Sequence, residues 1–291
     1  MNFNFNDIRT TEFGIGIEAE NEQSFVNVTV DINVQKALKE MAEATWDTMQ
    51  GVEENPSRYE PSEKYASPEH VTLPISDELS SKVRDLNEAN NLQTNNDSID
   101  DPDLVFCYFA RFTDVQGNRL TAIRRASQFK GVIRKRLIRF MTDAMKLIED
   151  NVFKLDNDFD LLTDSTDIHI LRPSGFEYVA KLREAILGSV SQNVTKIQMN
   201  LSFVNFDNIQ AYACSRPRAA RYLASIRSQQ LYNIDRGALI QLCSNTGVSI
   251  EENNGNISVA ESDVMGFLEV LDRRRYEIIL VSDSPERFRA P

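Results

Sequence analysis

The densest group of residues that could do chemistry is a basic stretch between residues 111 and 139. It contains nine arginines and lysines against a single acid, Asp114. Arginine offers a planar fork of donors that fits phosphate oxygens, and several such contacts together release the counterions condensed on a nucleic acid. The stretch therefore predicts a surface that contacts a polyanion. Its basic residues are Arg111, Arg119, Arg124, Arg125, Lys130, Arg134, Lys135, Arg136 and Arg139.

Two other interpretations of this basic stretch remain open. A run of like charges is often a solvated face, and here it could also dock onto the acidic N-terminal part of the same chain or of a second subunit. A protein that only docks onto other proteins would be a scaffold. The interpretations differ in one measurable respect, because only nucleic-acid binding predicts an affinity for DNA or RNA that weakens steeply with salt.

A second basic group lies on a predicted helix that starts at Pro217. No acid separates its members, which are Arg216, Arg218, Arg221 and Arg227. Arg218 and Arg221 are three residues apart and share one face of the helix. We expect this helix to assist the first stretch. The run Arg273-Arg274-Arg275 has a simpler explanation, because cations at the end of a helix complement its dipole.

Carboxylates are the best candidates for catalysis. Divalent-metal nucleases hold magnesium with paired carboxylates and commonly add a lysine at strand spacing, but no E-x-K sequence occurs. Aspartate favours turns, and Glu177 fits a capping box with Ser174, so turns and a helix cap are the preferred interpretation. The acids concerned are Asp156, Asp158, Asp160, Asp164, Asp167 and Glu177. The catalytic alternative is a metal-dependent nuclease centred on Asp160, Asp164, Asp167 and Glu177.

Other catalytic and cofactor-binding motifs are absent from the sequence. There is no P-loop, and no GxGxxG, GxSxG or HExxH sequence occurs. The two histidines and three cysteines do not have the spacing of a zinc site or of a disulfide framework. They are His70, His169, Cys107, Cys214 and Cys243. We therefore expect no cofactor and no metal, a function in binding rather than catalysis, and a core or strand-face position for His169.

The hydrophobic pattern in the first two thirds of the chain predicts strands and one long helix. Alternation predicts a hairpin within residues 14–30, and Asp31 is expected to cap a helix that ends near Thr48. A second hairpin is predicted within residues 104–125, and two or three further strands within 151–172. A helix is then expected from Ser174 to about Asn193. The central part should therefore be a mainly antiparallel sheet.

The last third of the chain is predicted to be mostly helical. Helices are expected at about 207–215, 217–229, 235–245 and 261–274. A small hairpin is expected across residues 253–256, and a last strand at 276–281. Helices beside a small hairpin are compatible with a winged-helix-like unit. Together these elements define an α+β fold.

Charge divides the chain into an acidic front and a slightly basic remainder. Residues 1–103 contain 22 acids against 7 bases, and residues 104–291 contain 22 against 25. We expect an acidic α/β region with loops at 1–103, a β-rich domain ending in a helix at 104–200, and a helical region at 201–291. The net charge of −12 does not exclude a nucleic-acid partner, because a phosphate responds to charges within a Debye length, ~8 Å at physiological salt.

The sequence predicts a cytoplasmic protein. No stretch approaches the ~20 consecutive apolar residues that a membrane helix requires. The first ten residues, MNFNFNDIRT, have neither the basic nor the apolar part of a signal peptide. We therefore expect no direct insertion into a membrane.

The middle of the chain also resembles a known family. The resemblance rests on Tyr108-Phe109-Ala110-Arg111-Phe112, Phe153-Lys154-Leu155, Phe159-Asp160-Leu161-Leu162, Ile168-His169-Ile170-Leu171 and Phe176-Glu177. In this order the segments are similar to the family of the Kiwa anti-phage defence protein KwaB, over about residues 104–185. The N-terminal hundred residues add nothing to the resemblance, and no catalytic motif is carried over.

The resemblance implies a function and partners. It implies a cytoplasmic, dimeric effector that binds DNA and associates with a small membrane protein, KwaA, to stop phage replication. Such a partner would recruit the protein to the inner face of the membrane. Combined with the basic stretches, this predicts phosphate-backbone contacts with little sequence preference. The residues expected to make them are Arg124, Arg125, Lys130, Arg134, Lys135, Arg136, Arg139, Arg218 and Arg221.

Overall fold

Strands from both sides of residue 100 pair with one another in the computed structural model of this chain. The structure describes residues 3–19, 22–65, 67–89, 92, 104–126, 138–140, 145–147, 155–226, 231–253, 255–278 and 286–289. It divides into two compact units: Met1–Tyr59 with Tyr65–Lys181, and Glu60–Lys64 with Leu182–Pro291. The expected boundary at residue 103 falls inside the first unit. None of the described helices is long and apolar enough to cross a membrane.

An eight-stranded sheet is the centre of the first unit. The strands of this unit are β1 (Ile8–Ala19), β2 (Glu22–Val28), β3 (Ser57–Arg58), β4 (Val71–Pro74), β5 (Val105–Asp114), β6 (Arg119–Arg125), β7 (Ile138–Phe140), β8 (Met145–Leu147), β9 (Leu161–Thr163) and β10 (Asp167–Ile170). Their order in the sheet is β2-β1-β5-β6-β9-β10-β4-β3, and β7 pairs with β8 separately. Within the sheet only β3 and β4 pair in parallel. Both predicted hairpins, β1–β2 and β5–β6, are confirmed.

A long helix, α1 (Ile32–Val52), covers one face of this sheet. Its N-cap is Asp31, whose carboxylate accepts a hydrogen bond from the backbone N–H of Val34 at 2.9 Å, as predicted. The helix continues four residues past the predicted end at Thr48. Its side chains share a core with those of β1 and β5, and this core contains Phe13, Ile15, Leu38, Met41, Ala42, Met49, Tyr108 and Phe112.

The other face of β1 carries glycine where the neighbouring strand carries large rings. Gly14 lies opposite Phe109, and a Cβ at Gly14 would lie 2.2 Å from Cζ of that ring. Gly16 lies opposite Cys107, and its Cβ would lie 2.6 Å from Sγ. Phe25 of β2 packs edge-on against Phe109 with 6.2 Å between the ring centroids. Because Gly14 and Gly16 have no side chains, the Phe109 ring and the Cys107 side chain of β5 can occupy the space beside them.

Two short helices complete the first unit, α2 (Ser81–Glu88) and α3 (Pro173–Val179). The predicted capping box is wrong, because α3 begins at Pro173 after Arg172, whose side chain makes no capping bond. The Glu177 carboxylate instead accepts a hydrogen bond from the Tyr59 hydroxyl at 3.0 Å. The expected single helix to residue 193 is also wrong, because α3 ends at Val179 and Lys181 adopts a left-handed φ of 57°.

The second unit is mainly helical and confirms the predicted helices and small hairpin. Its helices are α4 (Arg183–Gly188), α5 (Val190–Gln198), α6 (Asp207–Ala213), α7 (Pro217–Ser225), α8 (Arg236–Asn245) and α9 (Val264–Leu271). Its strands form two ribbons, β11 (Ile250–Asn253) with β12 (Asn256–Val259) and β13 (Arg275–Ile278) with β14 (Glu286–Arg289). Ile257 of β12 also forms a parallel bridge to Val204. The described elements therefore form the predicted α+β fold.

We predict that Gly14→Ala destabilises the protein by about 2 kcal/mol, because the added methyl group forces the Phe109 ring out of its place. The measurement is the free energy of unfolding in urea. Gly51→Ala is the matched control: Gly51 lies in α1 with open space at its Cβ position, so alanine should stabilise by about 0.5 kcal/mol. Equal effects of the two substitutions would contradict the packing of Phe109 over Gly14.

Candidate nucleic-acid interface

The basic stretch at 111–139 divides into described and undescribed residues. Lys130, Arg134, Lys135 and Arg136 lie outside the described residues, and Arg139 lies in β7. Arg111 is on β5, and Arg119, Arg124 and Arg125 are on β6. The contacts of these last four arginines show which of them bind groups within the protein and which of them have no described carboxylate partner.

Arg111 is a core residue, with only 3% of its surface exposed. Its guanidinium donates to the carbonyl oxygen of Leu86 at 2.7 Å and lies 3.4 Å from the Glu12 carboxylate. Burial is the main cause of its lowered pKa. Arg111 therefore joins α2 to the sheet and is not part of an exposed basic surface.

Arg119 borders an open cavity of about 800 Å³. Its guanidinium donates to the carbonyl oxygen of Asn87 at 3.2 Å. The acids Glu88 and Asp164 line the same cavity. Because the cavity carries charges of both signs, it lacks the uniformly positive wall that a phosphate site requires.

Arg124 is held by three aspartates. Its guanidinium lies 3.2 Å from Asp156, 3.1 Å from Asp158 and 2.7 Å from Asp160, and 14% of its side chain is exposed. Burial disfavours the charged guanidinium, but these carboxylates outweigh burial and raise the pKa of Arg124. Burial raises the pKa of Asp160 in turn, against the opposing effect of Arg124. The sequence predicts that Arg124 contacts DNA, but in the structure Arg124 is the central cation of an internal ion cluster.

The Arg124 cluster, meaning Arg124 with Asp156, Asp158 and Asp160, ties β6 to the start of α3. The Asp160 carboxylate accepts from the backbone N–H of Arg125 at 2.8 Å, and its carbonyl oxygen accepts from those of Leu171 and Arg172. The Arg172 guanidinium donates to Asp158 at 2.8 Å. A Cβ on Gly175 would lie 2.3 Å from the Asp160 carboxylate, so glycine is required where α3 passes it. The alternation Asp156-x-Asp158-x-Asp160 is the sequence signal for this cluster, but from the sequence it fits turns or a metal-binding site instead.

Arg125 differs from its neighbour, because its guanidinium has an aromatic partner. It lies 4.0 Å from the centroid of the Tyr178 ring, and no ion pair involves it within the described residues. Its Nε atom is buried without a hydrogen-bond partner. The ammonium of Lys181 lies 5.1 Å from the same ring and 2.5 Å from Glu18. This stack holds Arg125 in one orientation through cation–π attraction and leaves its charge uncompensated by a described carboxylate.

A similar arrangement occurs in the second unit, on α7. Arg218 is exposed and lies 5.9 Å from the Tyr222 ring, whose centroid is also 5.2 Å from Arg274. No ion pair involves Arg218 within the described residues. Arg221 donates to the carbonyl oxygen of Glu63 at 2.9 Å. Arg216 stacks on Tyr212 at 3.9 Å and also pairs with Glu261, and Arg227 lies outside the described residues.

Arg274 and Arg275, which follow α9, form ion pairs. Arg274 lies 2.8 Å from Asp272, and Arg275 lies 2.8 Å from Glu269, which is only 1% exposed. These carboxylates, rather than the helix dipole, are their specific partners. The β11–β12 hairpin is acidic at Glu251 and Glu252, and Arg236 at the start of α8 pairs with Glu252. A winged-helix-like mode of DNA binding through α8 and this hairpin therefore has no support from charge.

Three of the four carboxylates of the nuclease alternative have separate partners in the structure. Asp160 belongs to the Arg124 cluster, and Glu177 accepts from Tyr59. Asp164 accepts from the backbone N–H groups of Thr166 and Asp167 in the β9–β10 turn, and these bonds lower its pKa against the effect of burial. Among the residues that the structure describes, no three histidine, cysteine or acidic side chains could hold a metal ion together.

We predict that Arg124→Met destabilises the protein by about 3–5 kcal/mol, because it leaves buried carboxylates without their cation. Arg125→Met is the adjacent control and should cost less than about 1 kcal/mol. Both values come from urea unfolding monitored by circular dichroism. Similar costs for the two variants would mean that the Arg124 cluster does not carry the stability assigned to it.

A family model described as Kiwa protein KwaB-like matches residues 105–280, which is more than half of the chain. The searches of curated proteins and of solved structures found no match. The family match confirms the resemblance seen around residues 104–185 and extends it across α4 to α9. The chain therefore belongs to the KwaB-like family of Kiwa anti-phage defence proteins.

Proposed function

We propose that this KwaB-like protein is a defence effector that binds DNA through its phosphate backbone. Arg125 and Arg218, together with the basic residues between 130 and 139, make the contacts in this proposal. Backbone contacts carry little sequence information, so we expect binding to DNA of unrelated sequences with similar affinity. The observation that carries the proposal is the Arg125–Tyr178 stack at 4.0 Å.

The position of Arg125 connects the described part of the interface to the rest of the basic stretch. Arg125 ends β6, and the chain continues directly into the segment that contains Lys130, Arg134, Lys135 and Arg136. Stacking on Tyr178 fixes the plane of the guanidinium, so less rotamer entropy is lost when it binds a phosphate. A cation that is oriented in advance and has no described carboxylate partner is well suited to this role.

The second contact surface in the proposal is helix α7. Arg218 is exposed and stacks on Tyr222, and it has no ion pair within the described residues. Arg221 is assigned a smaller role, because part of its guanidinium donates to Glu63. The two units thus each present an arginine supported by a tyrosine. More than one phosphate contact is needed for tight binding, since each releases about one counterion.

The acidic front of the chain sets limits on where DNA can bind. Residues 1–103 contain 22 acids against 7 bases, which repels phosphates near that surface at low salt. In our proposal this region contributes contacts to a second copy of the chain or to a partner, or it mimics DNA and competes for the basic residues. The proposal also includes a cytoplasmic homodimer that a KwaA-like membrane protein brings to the inner face of the membrane; its support is membership of the KwaB-like family.

We predict that Arg134→Glu/Lys135→Glu/Arg136→Glu abolishes tight DNA binding. The measurement is the fluorescence anisotropy of a labelled short duplex titrated with protein at several salt concentrations. The wild type should bind with an affinity that falls steeply as salt rises. Lys36→Glu/Lys39→Glu/Lys82→Glu changes the net charge equally on helices α1 and α2 and should retain most of the affinity. No binding by the wild type, or equal losses in both variants, would favour the scaffold function.

We also predict a specific loss for Arg125. Arg125→Ala should weaken DNA binding about 10-fold and reduce the slope of log affinity against log salt by about 1, because one phosphate contact disappears. Tyr178→Leu keeps the charge and removes the stack, so it should weaken binding less and leave the salt slope unchanged. An Arg125→Ala variant with wild-type affinity and slope would remove this residue from the interface.

A further inference from the structure

The only two histidines of the chain contact each other inside the first unit. Nε2 of His70 lies 3.3 Å from Nδ1 of His169, and the residues are 2% and 7% exposed. His70 directly precedes β4, and His169 lies within β10, opposite Thr72 of β4. The only tryptophan, Trp46 on α1, lies edge-on to both rings, with centroid distances of 6.1 Å to His70 and 5.1 Å to His169.

Hydrogen bonds determine which nitrogens of this pair carry protons. Nδ1 of His70 lies 3.1 Å from the carbonyl oxygen of Met49 and 2.9 Å from that of Glu53. A carbonyl oxygen only accepts, so Nδ1 of His70 must carry a hydrogen, and Nε2 of the neutral ring is then an acceptor. His169 must therefore donate from Nδ1, which leaves its Nε2 without a proton. That Nε2 atom is buried and has no hydrogen-bond partner.

The bonds from His70 are made to the last turn of α1. Met49 and Glu53 lie at the C-terminal end of this helix, and the backbone N–H of Glu53 donates to the carbonyl oxygen of Met49 as its cap. The carbonyl oxygen of Met49 therefore already has a partner in the helix, and His70 is a second one, whereas the carbonyl of the cap residue Glu53 needs a partner outside the helix. His70 supplies that partner, and its contact with His169 joins the helix end to β10.

A further proton has no favourable position in this pair. On Nε2 of His169 it would create a buried donor without an acceptor, and on Nε2 of His70 it would face the N–H of His169. Asp164 and Asp167 near the β9–β10 turn favour a positive charge at His169, whereas His70 disfavours it. Burial is the largest of these effects and lowers the pKa of His169 to about 4.

We propose that the His70–His169 pair is a pH-sensitive latch, which fastens the C-terminal turn of α1 to the sheet while His169 is neutral and releases it when His169 takes up a proton. Release exposes the ring of His169 and lets it bind a proton as a free histidine does. The closed state is therefore fully favoured above pH 6.5, and this advantage is lost as the pH falls from about 6.5 towards 4. The latch does not depend on the proposed DNA binding.

Trp46 provides a direct test, because a protonated imidazole quenches indole fluorescence more strongly than a neutral one. The fluorescence of the wild-type protein should change between pH 6.5 and 4. In His169→Asn the amide can donate to His70 in place of Nδ1 but cannot titrate, so this change should disappear. Asp167→Asn removes a carboxylate from the same strand but keeps His169, so the change should remain.

Hydrogen exchange at the Glu53 amide gives the size of the effect. After correction for the pH dependence of the intrinsic rate, the opening equilibrium of the α1 end should rise about 20-fold from pH 7 to pH 5 in the wild type, and not in His169→Asn. A fluorescence change that persists unaltered in His169→Asn would assign the transition to carboxylates and overturn the latch.

Nitrogen NMR of the wild-type protein tests the same proposal without any variant. With two histidines in the chain, the spectrum of histidine-labelled protein contains two imidazole groups. At pH 7 each ring should carry a hydrogen on Nδ1, whereas solvent-exposed histidine prefers the proton on Nε2. An Nδ1 of His70 without a hydrogen, or titration of His169 near pH 6.5, would contradict the proposed latch.

Discussion

The burial of Arg124 among three aspartates is the interaction on which the first unit depends. It compensates the charge of an arginine that the sheet holds away from water, and it draws the segment before β9 against β6. Through the main chain of Asp160 the same contacts fix where the chain leaves β10 and where α3 can start. The position of Tyr178, and with it the stack on Arg125, follows from this placement of α3. Two consecutive arginines thus have opposite roles, because successive side chains on a strand point to opposite faces.

This division of roles shows why a count of basic residues overstates a binding surface. Of the four described arginines on β5 and β6, Arg111 and Arg124 bind carbonyl and carboxylate groups inside the unit, and Arg119 lines a cavity that two acids also line. A count of local net charge gives each of these four arginines the same weight, whatever its partner. Only the structure separates cations that stabilise the fold from a cation that is available to a ligand.

The sequence predicted the elements better than the contacts between them. Period-two alternation located β1, β2, β5 and β6, and the Asp31 cap located the start of α1, because these signals are local. The capping box failed because Pro173 fits the first helical turn better than Ser174 fits the cap. The pairing of β1 with β5, and that of His70 with His169, joins residues about a hundred positions apart. No spacing rule within a single sequence contains such contacts. The ion cluster has a local signal in its alternating aspartates, but their partner Arg124 lies 32 to 36 positions earlier, so the sequence does not show that they pair.

The family match begins at residue 105, with the first residue of β5. Half of the eight strands, β1 to β4, and the whole of α1 precede that point. The acidic front thus supplies half of the strands of the sheet, in addition to its excess of negative charge. Removing it to ask whether it competes with DNA would strip one face from Tyr108 and Phe112 and leave β5 with an open edge, a template for aggregation. Its electrostatic role is accessible only through substitutions of surface acids within the intact chain, since a truncated protein would report on misfolding instead.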